Sequence, residues 1–386
     1  MSLPRLLLQR FSLAWLLLLL PTLAAASPEA DQIGRRVASA LNGHDAQAFM
    51  ELVDIESLNR AIVADMGMTP SQAQSFEHGL GAGIRQNWET GIRLFAKRKG
   101  VAKYVRAGSR DGRPYALVRI AYGDDDAGFD YLELYLSPSQ RLHDWYTHSR
   151  ASLASSGVKV LVAAMLKNDS ILASVFGIKA FSQADIANVN QFVAHFRAGD
   201  LANAHRTLEL FPASYRRTRD WAMLRANTAG YDERVYRAAL EHLARSFGDD
   251  KQVQFMLIDH YFLQQKFDVA LTTIAAFEGI IGGEDGATNF LKCSCLIAWE
   301  RYDDAAKACR RGIEVEPDFK SAYWGVVSTG LASRSPALAL AGLSAYEKAF
   351  DTRFDPDKLA QIDEYRELAR TPEFAAWAKP RRQRSR

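Results

Sequence analysis

Three alanines set a period. Ala270, Ala305 and Ala339 recur at an almost constant interval of roughly 34 residues, the length of a two-helix repeat. Ala204 lies about two such intervals upstream of Ala270, which leaves room for one degenerate unit near Tyr236. Each alanine closes the same local order of a turn, a large apolar residue and a small one. It is seen in Arg197-Ala198-Gly199-Asp200-Leu201-Ala202-Asn203-Ala204, in Gln265-Lys266-Phe267-Asp268-Val269-Ala270 and in Glu300-Arg301-Tyr302-Asp303-Asp304-Ala305. A unit of that length holds two helices and a turn, and a small residue lets the two helices approach. Such a unit cannot bury its apolar face alone, so the units must stack on each other. Residues 190–375 are therefore expected to form an all-α run of helical hairpins.

The residues of this run resemble tetratricopeptide repeats. The best unit spans Gly286 to Phe319, with Cys293 at the small position of the first helix and Tyr302 at the head of the second. Ala305 takes the close-contact position, Gly312 a later small position, and Pro317 ends the unit. The preceding unit matches through Leu257, Tyr261, Phe267 and Ala270, but its loop Gly282-Gly283-Glu284-Asp285-Gly286 has no proline. The following unit supplies Tyr323, Trp324 and Ala339. Ile258 and Val327 replace the small residue, and Lys292 stands where the motif prefers Leu. The resemblance implies a superhelical solenoid whose first helices line a groove for a protein or peptide partner. Ala204, Ala270, Ala305, Gly312, Pro317 and Ala339 are then packing residues, and Gln254, Asp259, Gln265, Asn289, Lys292, Tyr323 and Ser328 the groove candidates. That mixture lacks the Lys and Arg clamp a carboxylate-tailed partner would want.

The first half of the chain reads differently. From Pro28 to Arg98 apolar residues recur at three and four, as in Ile33, Val37 and Leu41, then Phe49, Leu52, Val53, Leu58 and Ile62, then Ile84 and Ile92, which predicts helices. Beyond Gly100 the period shortens to two. Strands are expected at Val101–Val105, Pro114–Tyr122, Phe129–Leu136 and Leu142–Thr147, joined by turns at 109–112, 123–128 and 137–139. Ala116, Val118 and Ile120 share one face of the second strand, and Tyr115, Leu117 and Arg119 the other. In the third, Leu132, Leu134 and Leu136 oppose Tyr131, Glu133 and Tyr135. One face is expected to be buried by the helices and the other to be half wet and aromatic. The expectation is an α+β domain over 28–150 with a four-stranded antiparallel meander.

This layout resembles the nuclear transport factor 2-like cone domains, and cystatin-like arrangements fit nearly as well. The resemblance implies either a small-molecule cavity or a dimerisation sheet. An enzymatic or ligand-binding alternative would place its pocket at Glu133, Asp144, Tyr131 and Tyr135, with His143 and His148 nearby, since a Glu and a His on neighbouring strands can serve as acid and base. No catalytic residue is assigned on the favoured reading, and no cofactor or metal is expected. Asp124-Asp125-Asp126 lacks the alternating ligand spacing of a calcium loop, and the eight histidines show no ligand-spaced pair. The glycines of His78 to Gly83 lack the lysine of a phosphate loop.

The chain ends bound its location. Arg5 and Arg10 precede the apolar run Phe11 to Leu20, followed by Pro21 and Ala24-Ala25-Ala26-Ser27, the three zones of an export signal over residues 1–26. Cleavage is expected after Ala26 or Ala24, giving a periplasmic or secreted bacterial protein; the alternative is an uncleaved helix that anchors an accessory subunit in the inner membrane. Residues 151–189 read as connecting helices, with Asn168-Asp169-Ser170 overlapping a helix cap. In that oxidising setting a disulfide can join Cys293 or Cys295 to Cys309, Cys293 being better placed. The 48 Lys and Arg exceed the 45 Asp and Glu by only three, and five positive charges fall in the last eight residues. Nucleic acid is excluded as a partner on that balance. Residues 376–386 are expected to be a disordered basic tail that touches anionic lipid or an acidic protein weakly. The favoured function is a non-catalytic interaction scaffold or adaptor of the cell envelope.

Overall fold

The computed structural model describes residues 27–64, 66–110, 112–123, 128–166, 169–177 and 182–384. The expected export segment over residues 1–26, the Asp124-Asp125-Asp126 turn, Lys167-Asn168 and the last two residues lie outside the described residues. The chain opens with helices α1 (Pro28–Asn42), α2 (Ala46–Glu51), α3 (Ile55–Val63) and α4 (Pro70–Lys97). Ser27, Asp45 and Asp54 cap the first three with side-chain oxygens, which satisfies backbone N–H groups that a helix start leaves without partners. Five strands follow, β1 (Val101–Arg110), β2 (Arg113–Tyr122), β3 (Gly128–Leu136), β4 (Leu142–Thr147) and β5 (Ser152–Leu153), each antiparallel to the last. The expected meander is present with one more strand. Ala151, at a φ of +48°, reverses the chain, and two residues expected in a connecting helix pair with Tyr146 and Thr147 instead.

The register places Ala116, Val118, Leu132 and Leu134 on one face and Tyr115, Leu117, Arg119, Tyr131, Glu133 and Tyr135 on the other. The aliphatic face is covered by helices. α1 crosses β1 and β2, and at Gly34 a Cβ would lie 2.5 Å from a ring carbon of Tyr104, so the glycine sets how closely that helix sits. Trp88 of α4 packs its ring 5.3 Å from Phe49 and 5.2 Å from Trp145.

The aromatic face was expected to stay half wet. It is buried instead, because the helical repeats lie on it: Tyr115, Leu117 and Tyr131 belong to one apolar cluster with Ile258, Ile274, Phe277, Ile281 and Phe319. The alternation along β2 and β3 is thus that of a sheet buried on both sides, with the polar members paired rather than hydrated.

After α5 (Ala154–Leu166) and α6 (Asp169–Val175), hairpins follow in series. α7 (Gln183–Arg197) pairs with α8 (Leu201–Leu208), and α9 (Arg219–Thr228) with α10 (Glu233–Phe247). Then come α11 (Gln254–Leu263) with α12 (Phe267–Ile281), α13 (Gly286–Ala298) with α14 (Tyr302–Val315), and α15 (Lys320–Ala332) with α16 (Pro336–Ala349). Each hairpin packs on the next, and α13 also touches α15. The boundary expected at residue 190 falls inside α7, whose capping box of Ser182 and Asp185 starts the first hairpin earlier in the chain. The degenerate unit near Tyr236 is the α9–α10 hairpin. Ala204, Ala270, Ala305 and Ala339 are all buried, and at Gly312 a Cβ would meet the Cβ of Ala322 at 3.2 Å. Pro317 is exposed in the loop after α14. In helix order and length these hairpins resemble tetratricopeptide repeats.

Cys293 and Cys309 form a disulfide that joins α13 to α14. Cys295 is free and buried; burial first, and the charge of Asp259 second, push its thiol up to about 12.

The carboxy-terminal end differs from the expected disordered tail. Short helices α17 (Pro356–Leu359) and α18 (Arg366–Ala369) lead into α19 (Pro372–Arg384), which packs on α16. Phe374 and Ala378 are buried against Leu343, Leu359 and Leu368. Arg381 lies 3.8 Å above the Trp377 ring and pairs with Glu347, and Arg382 pairs with Asp357 at 2.8 Å. The basic end therefore caps the last hairpin, which otherwise would expose an apolar face, and two of its charges are already neutralised.

Candidate functional site

Two surfaces of the hairpins compete for a functional role, and the sheet has taken one. It docks along the loops that join successive hairpins. Arg119, in the middle of β2, is 3% exposed, and its Nη1 donates to Asp285 Oδ2 at 2.8 Å and to Glu316 Oε2 at 2.9 Å, while Nη2 donates to Glu316 Oε1. Tyr131 Oη donates to both carboxylate oxygens of Asp285, which also caps α13. Lys103 adds a contact to Glu316 at 3.2 Å. Burial alone would raise the Glu316 pKa, but the Arg119 hydrogen bonds and charge, with help from Lys103, hold it below its ordinary value.

Arg106 explains why the loop after α12 departs from the repeat pattern. Its guanidinium donates to the carbonyls of Gly282 at 2.6 Å and Glu284 at 2.7 Å. Gly282 and Gly283 have φ of +84° and +140°, and a Cβ on Gly283 would lie 2.3 Å from Arg106 Nη1. A proline there would fit neither the backbone nor the guanidinium. Gly283→Ala is expected to lower stability by about 1 kcal/mol or more, read as a drop in the urea midpoint. An unchanged midpoint would remove the docking role assigned to this loop.

The cone pocket proposed at Glu133, Asp144, Tyr131 and Tyr135 is filled. Glu133 is fully buried and accepts from Arg110 at 2.6 Å, Tyr135 Oη at 2.8 Å and His148 Nε2 at 2.9 Å. Asp144 accepts from the backbone N–H and hydroxyl of Ser155 at 3.1 and 2.6 Å, which anchors the start of α5. The two carboxylates share none of these partners. Tyr131 is spent on Asp285, and Tyr135 on Glu133. The Glu133 to His148 pair has the spacing of an acid and a base, but both are sealed under the hairpins, and chemistry needs a substrate within reach. Burial pushes the His143 imidazole down, and its Nδ1 lies 3.0 Å from the Tyr135 carbonyl. Among the described residues, no group of three His, Cys, Asp or Glu side chains is arranged to hold a metal ion.

The other surface is the open side of the first helices. The groove candidates divide there. Asn289 is buried, donating to the Asp285 carbonyl at 2.9 Å and to Glu284 at 3.1 Å; Tyr323 is buried too, donating to the Pro317 carbonyl at 2.8 Å, with its ring 5.3 Å from Phe350. Both are packing residues, because a shift of two or three positions along a helix turns an outward residue inward. Gln254 is half-buried and donates to the Gly248 carbonyl at 2.9 Å, and Lys292 is held by Glu278 at 2.7 Å. Gln265 is exposed in the turn before α12, at a φ of +59°.

Asp259 and Ser328 remain open to solvent. Between them lies half-buried Ser294, which the sequence reading passed over. The signal for it was present: Asp259, Ser294 and Ser328 recur at the same intervals as Ala270, Ala305 and Ala339. They are equivalent positions on α11, α13 and α15. Asp259 accepts from Tyr236 Oη at 2.8 Å. The protein around it raises its pKa, and the tyrosine only partly offsets this.

An open cleft of about 290 Å³ lies elsewhere, between the end of α8 and helices α9 and α10. Arg225, above the Trp221 ring, pairs with Glu209 at 2.6 Å across it. Burial, with Arg225 and Arg245, pushes His242 down. Among the described residues, no helix is long and apolar enough to cross a membrane.

No protein-family model matches the chain. No curated protein matches it. Among solved structures, it is similar to PilW, a widely conserved type IV pilus biogenesis factor, at 12% identity and a TM-score of 0.38, over 53% of this chain and 94% of that one. It is also similar to MamA MSR-1 C2 at 16% identity and a TM-score of 0.36, over 44% of this chain and 98% of that one. These likenesses are partial, and the hairpin arrangement described above rests on this chain's own helices.

Proposed function

We propose that the chain is a non-catalytic protein-binding scaffold of the bacterial cell envelope, exported by residues 1–26, with the hairpins forming a solenoid that presents the Asp259, Ser294 and Ser328 row to a protein partner. The observation that carries this reading is the division of surfaces. The sheet occupies the loops between hairpins and packs on part of α11 and α12, while Asp259 and Ser328 on the first helices stay exposed and Ser294 half-buried. The disulfide of Cys293 and Cys309 fits an oxidising compartment, as does the three-zone amino terminus.

Deleting residues 190–375 would be a poor test, since it would uncover Tyr115, Leu117 and Tyr131 and leave Arg119 without its carboxylates. A bulky charge on the row is cleaner. Ser328→Arg places a long cation on an exposed position and is expected to weaken partner capture from the envelope fraction by roughly tenfold or more, with the unfolding midpoint unchanged. Equal capture by both forms would reject the row as the binding face.

A further inference from the structure

The disulfide of Cys293 and Cys309 lies directly behind the row. Cys293 precedes Ser294 on α13, and its Sγ meets Thr329 Oγ1 of α15 at 3.8 Å, next to Ser328. Both cysteines are fully buried, in one cluster with Leu296, Ala305 and Val326. α15 presses on them: a Cβ on Gly325 would overlap Cys309 Sγ and lie 3.2 Å from Cys293 Sγ. The other side of α15 has no slack either. Gly330 leaves no room for a Cβ against the Ala339 backbone of α16, and a Cβ on Gly342 would lie 2.8 Å from the Val327 side chain. α15 is thus seated tightly between the disulfide and α16, so a displacement at the sulfurs carries the last hairpin with it, because a close-packed interior transmits strain rather than absorbing it.

We propose that the bond between Cys293 and Cys309 is a redox switch for the row, seating α15 against α13 when oxidised and displacing the last hairpin when reduced. Its functional consequence rests on the reading of the row as the binding face. Two bonded sulfurs need less space than two thiols, which stand at van der Waals contact and carry hydrogens. Gly325 yields that space only if α15 moves, since overpacking a filled core shifts its backbone. The movement changes the spacing of Ser294 and Ser328, so a partner that spans both finds them in register only in the oxidised chain. The bond forms by exchange with a disulfide donor: one cysteine thiolate attacks the donor and releases its first thiol, the other cysteine displaces the second, and two electrons and two protons leave with the donor as a dithiol. Cys295 takes no part. It faces the cluster that holds Leu117 and Tyr131 of the sheet, and burial keeps it a thiol, which is not the attacking form. The row is therefore completed in an oxidising compartment and left incomplete in a reducing one.

The test compares backbone hydrogen exchange in the full chain in three forms: oxidised, refolded in excess dithiol, and Cys293→Ala with Cys309→Ala. Reduction is expected to speed exchange in α15 and α16 roughly tenfold or more, and to leave α9 and α10 within a factor of about two. The double alanine form lacks the bond but also the bulk of the sulfurs, so its α15 and α16 are expected to stay nearer the oxidised rates than the reduced ones. Equal rates in oxidised and reduced protein, or an acceleration spread evenly over all the hairpins, would overturn the proposal. So would equal acceleration in the reduced and double alanine forms, which is the mark of a lost crosslink alone. None of these outcomes bears on Ser328→Arg capture, so the switch and the binding face stand or fall separately.

Discussion

Arg119→Ala is expected to cost the chain about 3–5 kcal/mol, the range for removing one partner of a buried ion pair and leaving the other charged. The loss is large because the guanidinium serves two carboxylates at once, Asp285 and Glu316, each no more than 5% exposed. It also stacks 4.5 Å above the Phe319 ring. Urea unfolding measures the effect. If the charge left behind is the cause, Arg119→Ala with Glu316→Gln recovers part of the loss. A change under about 1 kcal/mol, the worth of an exposed pair, would show that the sheet and the hairpins are not coupled through this residue. The same network gives an acid-side sensitivity. The folded-state pKa of Glu316 lies below its ordinary 4.5, so its contribution is complete above that pH and disappears as the pH falls through the lowered value. Arg119→Ala should flatten that part of the stability profile.

Breaking the disulfide ranks second. Cys293 and Cys309 are 16 residues apart in sequence, and a closed loop of that size is worth about 3 kcal/mol through the entropy of the unfolded chain. Reduction, or Cys293→Ala with Cys309→Ala, is expected to lower the unfolding midpoint accordingly, and an equal midpoint with and without reductant would refute the crosslink. Gly325 depends on the same bond. A Cβ there would lie 2.0 Å from Cys309 Sγ and 3.2 Å from Cys293 Sγ, so α15 can press on the disulfide only because residue 325 has no side chain. Gly325→Ala is expected to cost about 1–3 kcal/mol by overpacking, and less when both cysteines are alanine.

Local pattern was legible wherever the physics is local. The spacing of Ala270, Ala305 and Ala339 found the last three hairpins, because a small residue is needed wherever two helices cross closely. Alternation in β2 and β3 found the strands and sorted their faces. Of the groove candidates, Asp259 and Ser328 are exposed and Ser294, at the equivalent position, was not among them, while Asn289 and Tyr323 are buried, since the pattern fixes the period of a helix better than its rotation. The tail was misread for a related reason. Charge density suggested a solvated end, whereas the ion pairs of Arg381 and Arg382 with Glu347 and Asp357 reach across 34 and 25 residues of sequence.

By itself the sequence determined the elements: an α+β half and a run of regularly spaced helical hairpins, with the structure choosing Cys293 over Cys295 as the partner of Cys309. Only the tertiary structure decided what the aromatic face of the sheet is for. In the sequence Tyr131 and Glu133 are candidates for a ligand pocket, and the layout allows a cavity or a dimerisation sheet. The partners of Tyr131 and Arg119, Asp285 and Glu316, stand 154 to 197 residues further on, and no periodicity carries information over that distance. Once the hairpins cover that face, the pocket is gone, and the row of Asp259, Ser294 and Ser328 is the surface we propose for a partner.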